Sequence, residues 1–232
     1  MYKEHAKLLV CPKCNGDLEL FGDIIDDFIE SGNLICKRCD VSYEIVSGIP
    51  RFVESSNYAD SFGFEWNMHK KTQYDSVSGV SASRTRFYNE TRWGKCDGEI
   101  ILEAGCGSGR FTPYALEIAG ESGLVISFDY SNAVDATSIR PSKNLLRLQA
   151  DIFNLPLKND SCDKCFCFGV LQHTPSAKNA IKSLVDSLRG GGNLYVIIIH
   201  LIKILHLIQS IMCVQLQLGY RIGYYIISAK NI

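Results

Sequence analysis

The apolar positions of this chain fall into short runs separated by turn residues, most legibly between residues 98 and 200. Residues 99–104 form one apolar run, and a glycine-rich turn closes it. Phe111, Tyr114, Ala115 and Ile118 then recur at helical spacing until Gly120 ends the pattern. Residues 123–129 and 145–150 read as second and third strands, with Ser131 placed to cap a short helix that stops before Pro141. A fourth strand is expected over 165–171. Thr174-Pro175 is expected to open the next helix, whose stripe is Ala177, Ala180, Ile181, Leu184, Val185 and Leu188. Gly190-Gly191-Gly192 is read as its end, and 194–199 as a fifth strand. Strand–helix alternation of this kind predicts an α/β, Rossmann-like fold: a mostly parallel sheet with helices on both faces.

The flanks differ. Residues 1–53 hold paired cysteines and short β-like runs, which predict a small β module. Residues 54–97 are polar and aromatic and read as a helical cap or linker. Residues 201–232 form an atypical tail. The expected organisation is therefore 1–53, 54–97, 98–200 and 201–232. With 46% hydrophobic residues, the chain can bury a sizeable core. Net charge is −1, but residues 1–60 carry eleven acids against six bases. An acidic N-terminal module is poorly suited to gripping nucleic acid. The first residues lack the apolar stretch of a secretory signal, so a cytoplasmic setting is expected, with the ten cysteines as thiols or metal ligands.

The run Glu103-Ala104-Gly105-Cys106-Gly107-Ser108-Gly109-Arg110 leaves a strand and opens a helix. Glycines there permit a tight turn and a close approach of backbone to ligand. Alone, this pattern also suits dinucleotides and phosphates. A dinucleotide fold usually spaces its glycines as GxGxxG, however, and no Gly-Lys-Ser/Thr follows for a phosphate loop. Asp129 ends the next strand, where a carboxylate can accept hydrogen bonds from ribose hydroxyls, and Asp151-Ile152 ends the third.

In these residues the chain resembles class I S-adenosylmethionine-dependent methyltransferases of the type 11 kind, over about residues 98–200. The resemblance implies that Glu103 opens the cofactor motif and that Gly105 and Gly107 pass under the methionine part. Asp129 would bind the ribose, and Asp151 and Ile152 would stand on the adenine side. Cys106, Gly109, Tyr130 and Gly169 complete the implied cofactor-binding set, with Cys106 chosen for its size. Leu155-Pro156-Leu157, Asp160-Ser161-Cys162-Asp163 and Gly169-Val170-Leu171-Gln172-His173 are similar to the loops around the family's fourth strand.

Cys11-Pro-Lys-Cys14 and Cys36-Lys-Arg-Cys39 are two CxxC knuckles, and four thiolates on two turns can surround one tetrahedral zinc. A closed four-cysteine site serves folding, which a 50-residue module poor in large apolar residues needs. A redox pair or free thiols are the other readings. The flanking Leu8-Leu9-Val10-Cys11-Pro12 and Tyr43-Glu44-Ile45-Val46-Ser47-Gly48-Ile49-Pro50 resemble the small zinc-ribbon proteins that activate tRNA and protein methyltransferases. Cys162, Cys165 and Cys167 imitate the spacing but lie on an expected strand, so they read as small buried hydrophobes.

His173 follows the fourth strand at the sheet's carboxyl edge, where a general base for an oxygen or nitrogen acceptor would stand. Capping the next helix is its plainer role. Gln172 is a candidate substrate contact. Tyr58, Phe62 or Trp66 could close over a sulfonium by cation–π contact, though packing is the ordinary use of such aromatics. The tail interrupts its apolar run with Lys203 and His206, so no membrane span is expected. Residues 220–228 could supply one strand. The family's sheet has two more after its fifth, so a truncated or frame-shifted end is expected. The function expected is methyl transfer to an O, N or C acceptor on a small molecule, such as a sugar, lipid or metabolite intermediate. An RNA methyltransferase and a catalytically impaired cofactor-binding module are the alternatives.

Overall fold

The structure is a computed structural model describing residues 1–53, 75, 79, 81–198 and the backbone of 221–226. Two sheets carry it. In the N-terminal one, β1 (Glu19–Ile25), β2 (Phe28–Cys36), β3 (Val41–Val46) and β4 (Ile49–Pro50) run antiparallel in sequence order. Alternation along β3 puts Tyr43 and Ile45 inward and Ser42, Glu44 and Val46 outward.

Helix α1 (Ala82–Thr91) precedes the larger sheet. That sheet contains β5 (Ile100–Ala104), β6 (Leu124–Asp129), β7 (Leu145–Gln149), β8 (Cys162–Phe168), β9 (Leu188–Ile198) and β10 (Arg221–Ile226). Their spatial order is β7-β6-β5-β8-β9-β10, with all pairs parallel. Helices α2 (Thr112–Ala119) and α3 (Ala177–Asp186) connect β5 to β6 and β8 to β9. The order reverses direction at β5, so the loops after β5 and β8 diverge there and leave a crevice at the carboxyl edge. The central strands β5, β6 and β8 are buried almost throughout, as expected for strands covered on both faces. β10 supplies the strand expected near 220–228. No antiparallel strand joins this sheet among the described residues. No described helix is long and apolar enough to cross a membrane.

Several local expectations shift. β8 begins at Cys162 and ends at Phe168; Leu171–His173 is a 3-10 turn rather than strand. The helix after it starts at Ala177, capped by Ser176, whose Oγ accepts from the Asn179 amide at 3.3 Å. Thr174 is engaged elsewhere, its hydroxyl donating to the Leu171 carbonyl at 2.8 Å. The helix closes at Asp186, and Gly190–Gly192 lie inside β9.

The small sheet docks on the edge of the large one. Arg51 bridges to Gln149 of β7 in parallel fashion, and the Phe52 amide donates to the Gln149 carbonyl at 2.8 Å. The N-terminal segment pairs with the loop before β8: the Val10 amide donates to the Pro156 carbonyl and the Lys158 amide to the Leu8 carbonyl. These contacts cover the otherwise open edge of β7. The two sheets share one apolar core, in which Leu9, Ile29 and Leu34 join Leu146, Leu148 and Leu157.

Candidate functional site

A cavity of about 390 Å³ opens at the carboxyl ends of β5, β6 and β8. The turn after β5 forms its base. Gly105 has φ +73°, and a Cβ there would stand 2.3 Å from Val170 Cγ2, so both backbone conformation and packing demand glycine. Both its amide and that of Cys106 donate to the Phe128 carbonyl at 2.9 Å. This ties the turn to β6.

Asp129, the last residue of β6, holds the same turn from the side. Its Oδ2 accepts from the Gly107 amide at 2.8 Å; its Oδ1 accepts from the Ser131 amide at 2.9 Å and the Ser131 hydroxyl at 2.7 Å. The Tyr130 backbone adds a further bond to the same carboxylate, which stands at the cavity wall. Burial raises its pKa, and the bonds from Ser131 and Gly107 work in the other direction. Glu103 is buried beneath the turn. Thr112 Oγ1 and Ser127 Oγ both donate to its Oε2, at 2.5 and 2.8 Å. Burial pushes its carboxyl up to about 7 despite those bonds.

Glu103, Gly105, Cys106, Gly107, Asp129, Tyr130, Asp151, Ile152, Gly169 and His173 all border this cavity. Gly109 does not; a Cβ there would meet Thr137 Oγ1 at 2.9 Å, so it is needed for packing behind the turn. Asp151 caps its own loop, accepting from the Phe153 amide at 2.9 Å and from Asn154 Nδ2 at 3.2 Å. His173 Nε2 lies 3.3 Å from Gln172 Nε2, and Gln172 Nε2 also donates to the Gly169 carbonyl at 2.9 Å. Gln172 stands outside the lining. Tyr58, Phe62 and Trp66 lie outside the described residues. Sequence reasoning missed Arg86, Arg110 and the aromatic wall of Phe111, Phe166 and Phe168. Arg110 and Phe111 directly follow the glycine turn, which was the available signal. Arg86 arrives from α1.

The ribbon cysteines converge. Cys11, Cys14, Cys36 and Cys39 place all four sulfurs within 4.8 Å of one another, with pairs at 3.4, 3.5 and 3.6 Å. A tetrahedral ion with bonds of about 2.3 Å needs sulfurs about 3.8 Å apart, so this donor set fits zinc. Burial opposes the Cys11 thiolate. The Tyr43 hydroxyl 3.3 Å away, backbone amides and the Cys39 thiol outweigh that and lower it to about 6. Burial and the neighbouring sulfurs raise Cys39 to about 12. Cys162, Cys165 and Cys167 are fully buried in β8, as their decoy reading expected.

Residues 102–196 match the family model described as a methyltransferase domain, and residues 3–48 match that of the Trm112p-like proteins. The chain joins a Trm112p-like ribbon to a methyltransferase domain. The demethylmenaquinone methyltransferase of Lactococcus lactis subsp. lactis is 31% identical over 130 residues, covering 52% of each protein. The chain thus spans about half the length of that curated relative. Among solved structures, a chain of the complex between the Haloferax volcanii Trm112 methyltransferase activator and a methyltransferase aligns with TM-score 0.51. It is 21% identical and covers 60% of this chain and 61% of that one. That likeness speaks for the fold. A SAM-dependent methyltransferase from Aquifex aeolicus aligns with TM-score 0.45 at 17% identity, over 60% of this chain and 71% of the other.

Proposed function

We propose that this chain is an S-adenosylmethionine-dependent methyltransferase acting on a small-molecule acceptor. Residues 98–200 form its catalytic domain, residues 1–53 a zinc-stabilised ribbon, 54–97 a cap and 201–232 a tail. The observation that carries the reading is the clamp at the switch point. Asp129 holds the Gly107 amide at 2.8 Å at the wall of the cavity, where a ribose hydroxyl would meet it, beside a turn that only glycine can make. The methyltransferase-domain match over 102–196 supports it.

S-adenosylmethionine supplies an activated methyl group when bound. The chain's residues bind and orient. Gly105 and Gly107 let backbone approach the amino-acid end, Asp129 and Tyr130 take the ribose, and Asp151 and Ile152 flank the adenine. Walls of Phe111, Phe166 and Phe168 exclude water from the reacting atoms. His173, at the end of the turn after β8, is the candidate to accept the acceptor's proton.

The four cysteines would hold zinc, and the ribbon, docked on β7, would act from within the chain on the domain that it covers. The Trm112p-like match favours a second reading, in which the acceptor is a macromolecule such as RNA. The acidic ribbon weighs against it.

Calorimetric titration of the zinc-loaded chain with S-adenosylhomocysteine tests the cofactor. Micromolar binding is expected. Asp129→Ala should weaken it ten- to a hundredfold, the worth of a charge-assisted hydrogen bond. A folded chain that binds no cofactor sinks the methyltransferase reading. Tight, salt-sensitive RNA binding would replace the small-molecule acceptor with the second reading.

A further inference from the structure

The turn after β8 is fixed at both ends. Gly169 has φ +72°, and its amide donates to the Ile197 carbonyl of β9 at 2.8 Å. Leu171 is buried and pins the turn in the core. The His173 amide donates to the Val170 carbonyl at 2.9 Å, and the Thr174 hydroxyl to the Leu171 carbonyl at 2.8 Å. Gln172 and His173 therefore project from a short piece of 3-10 backbone with little freedom.

The contact between these two side chains fits one arrangement of hydrogens. An amide nitrogen carries two hydrogens and accepts none. Gln172 Nε2 donates one of them to the Gly169 carbonyl at 2.9 Å. The same nitrogen stands 3.3 Å from His173 Nε2. Two donors cannot bond to each other, so the ring nitrogen supplies a lone pair, and the ring's own hydrogen belongs on Nδ1. Turning the amide over does not escape this. Gln172 Oε1 is buried with no hydrogen-bond partner among the described residues. Exchanging the two ends would set that oxygen against the Gly169 carbonyl oxygen and leave the NH2 group where there is no acceptor. The Gly169 carbonyl thus fixes the amide, and the amide fixes the imidazole.

We infer that Gln172 is a positioning residue for His173: it selects the Nδ1–H tautomer and so makes Nε2 the nitrogen that receives the acceptor's proton. This rests on the methyltransferase reading, in which His173 borders the cavity as the base. Before an acceptor arrives, an amide hydrogen of Gln172 occupies the Nε2 lone pair. The acceptor's O–H or N–H displaces it. When the acceptor gives up its proton, that proton goes to Nε2, and the ring, keeping the hydrogen on Nδ1, becomes an imidazolium. A ring that already carries its hydrogen on Nε2 cannot take a proton there.

The test reads the ring nitrogens directly. The full zinc-loaded chain, isotopically labelled in its histidine rings, is examined by NMR at about pH 8, where an ordinary imidazole is neutral. Spectra are taken without and with saturating S-adenosylhomocysteine, and the His173 signals are identified by their loss in His173→Asn. In the wild type Nδ1 should carry the hydrogen, and Nε2 should show the shift of a bare, hydrogen-bonded nitrogen. Gln172→Leu should move the hydrogen, in part or whole, to Nε2. Gln172→Glu, whose carboxylate can only accept, should move it there outright. A wild-type ring with its hydrogen on Nε2 overturns the inference, as does a hydrogen that stays wholly on Nδ1 in either variant. The wild-type spectrum decides by itself should a variant fail to fold. Failure of the wild-type chain to bind S-adenosylhomocysteine defeats the methyltransferase reading itself. Because the tautomer is also read without cofactor, the two failures are separable.

Discussion

The ribbon and the cavity face the same electrostatic problem and solve it differently. Each crowds potential anions into a small, partly desolvated volume. In the ribbon, four sulfurs lie within 4.8 Å of one another, and the Tyr43 hydroxyl is the side-chain donor beside them. In the cavity, Glu103 and Asp129 are matched by donors built into the fold: Thr112, Ser127, Ser131 and the Gly107 amide. The protein surrounds its acids with hydroxyl and amide donors, whereas its four sulfurs crowd one another with Tyr43 and a few backbone amides beside them. A cluster that the chain does not satisfy calls for a cation as part of the fold. A cluster that it nearly satisfies can wait for a ligand. The ribbon should therefore depend on its ion absolutely, whereas the cavity should stand without its cofactor.

The largest expected effect follows from that contrast. Structural zinc is worth on the order of 10 kcal/mol in small cysteine-rich modules, more than this ribbon's core can replace. Chelation, or Cys36→Ser, should release one zinc per chain and remove amide protection from β1–β3. Under native conditions the ribbon thiols, four after chelation and three in Cys36→Ser, should then alkylate, while Cys162, Cys165 and Cys167 remain shielded in β8. A ribbon that stays protected with no metal bound would erase the distinction between the two regions.

A smaller effect sits under the glycine turn. The folded Glu103 carboxyl is raised from 4.5 to about 7, so between those pH values the folded state binds a proton that the unfolded state has released. Stability from this group is fullest below pH 4.5, declines as pH rises to about 7, and is flat beyond. The shift corresponds to about 3 kcal/mol at most. Asp129, also raised, slopes the same way, so the informative quantity is the difference between wild type and Glu103→Gln in denaturant unfolding at pH 5 and pH 7.5. The wild type should lose more stability across that interval. Parallel behaviour would mean that the hydroxyls of Thr112 and Ser127 satisfy the carboxylate fully, and the cavity's acids would resemble the ribbon's thiols even less.

Legibility in the sequence divides by distance along the chain. The glycine turn and the acid ending each strand could be read because strand, turn and ligand-facing residue are consecutive. The two knuckles could be read because each turn is four residues long. The start of β8 was hidden by Asp163 and Lys164. Their polarity is absorbed by other strands: Asp163 accepts from the Ile100 amide at 2.8 Å and pairs with Arg189, and Lys164 pairs with Glu99. Thr174-Pro175 looked like a cap because Leu171–His173, the turn whose Leu171 carbonyl claims the threonine hydroxyl, reads partly as strand. Arg86 was illegible for a different reason, since packing such as that of Phe87 against Phe166 brings α1 over the sheet.

The smallest effect asks whether the two regions communicate. Arg51 follows the ribbon's last strand and reaches Asp135 with two nitrogens, at 2.5 and 3.3 Å, and Gln149 Oε1 at 3.1 Å. Gln149 Nε2 in turn donates to the Tyr130 carbonyl at 3.2 Å and to Asn132 Oδ1 at 2.9 Å. Ile49 packs with Cys106 of the glycine turn and with Val134. The ribbon thus touches the glycine turn through Ile49 and the loop after Asp129 through Arg51. Arg51→Met keeps much of the side chain's apolar bulk and removes the hydrogen bonds. It should cost about 1 kcal/mol in stability, the scale of one partly exposed ion pair with its hydrogen bonds. It should also weaken S-adenosylhomocysteine binding two- to fivefold and quicken amide exchange at Tyr130 and Ala133. If stability falls while affinity and exchange hold, the ribbon merely covers the edge of β7. If all three move together, an ion that folds the ribbon also sets the shape of the cavity, and the two solutions to the shared electrostatic problem are one mechanism.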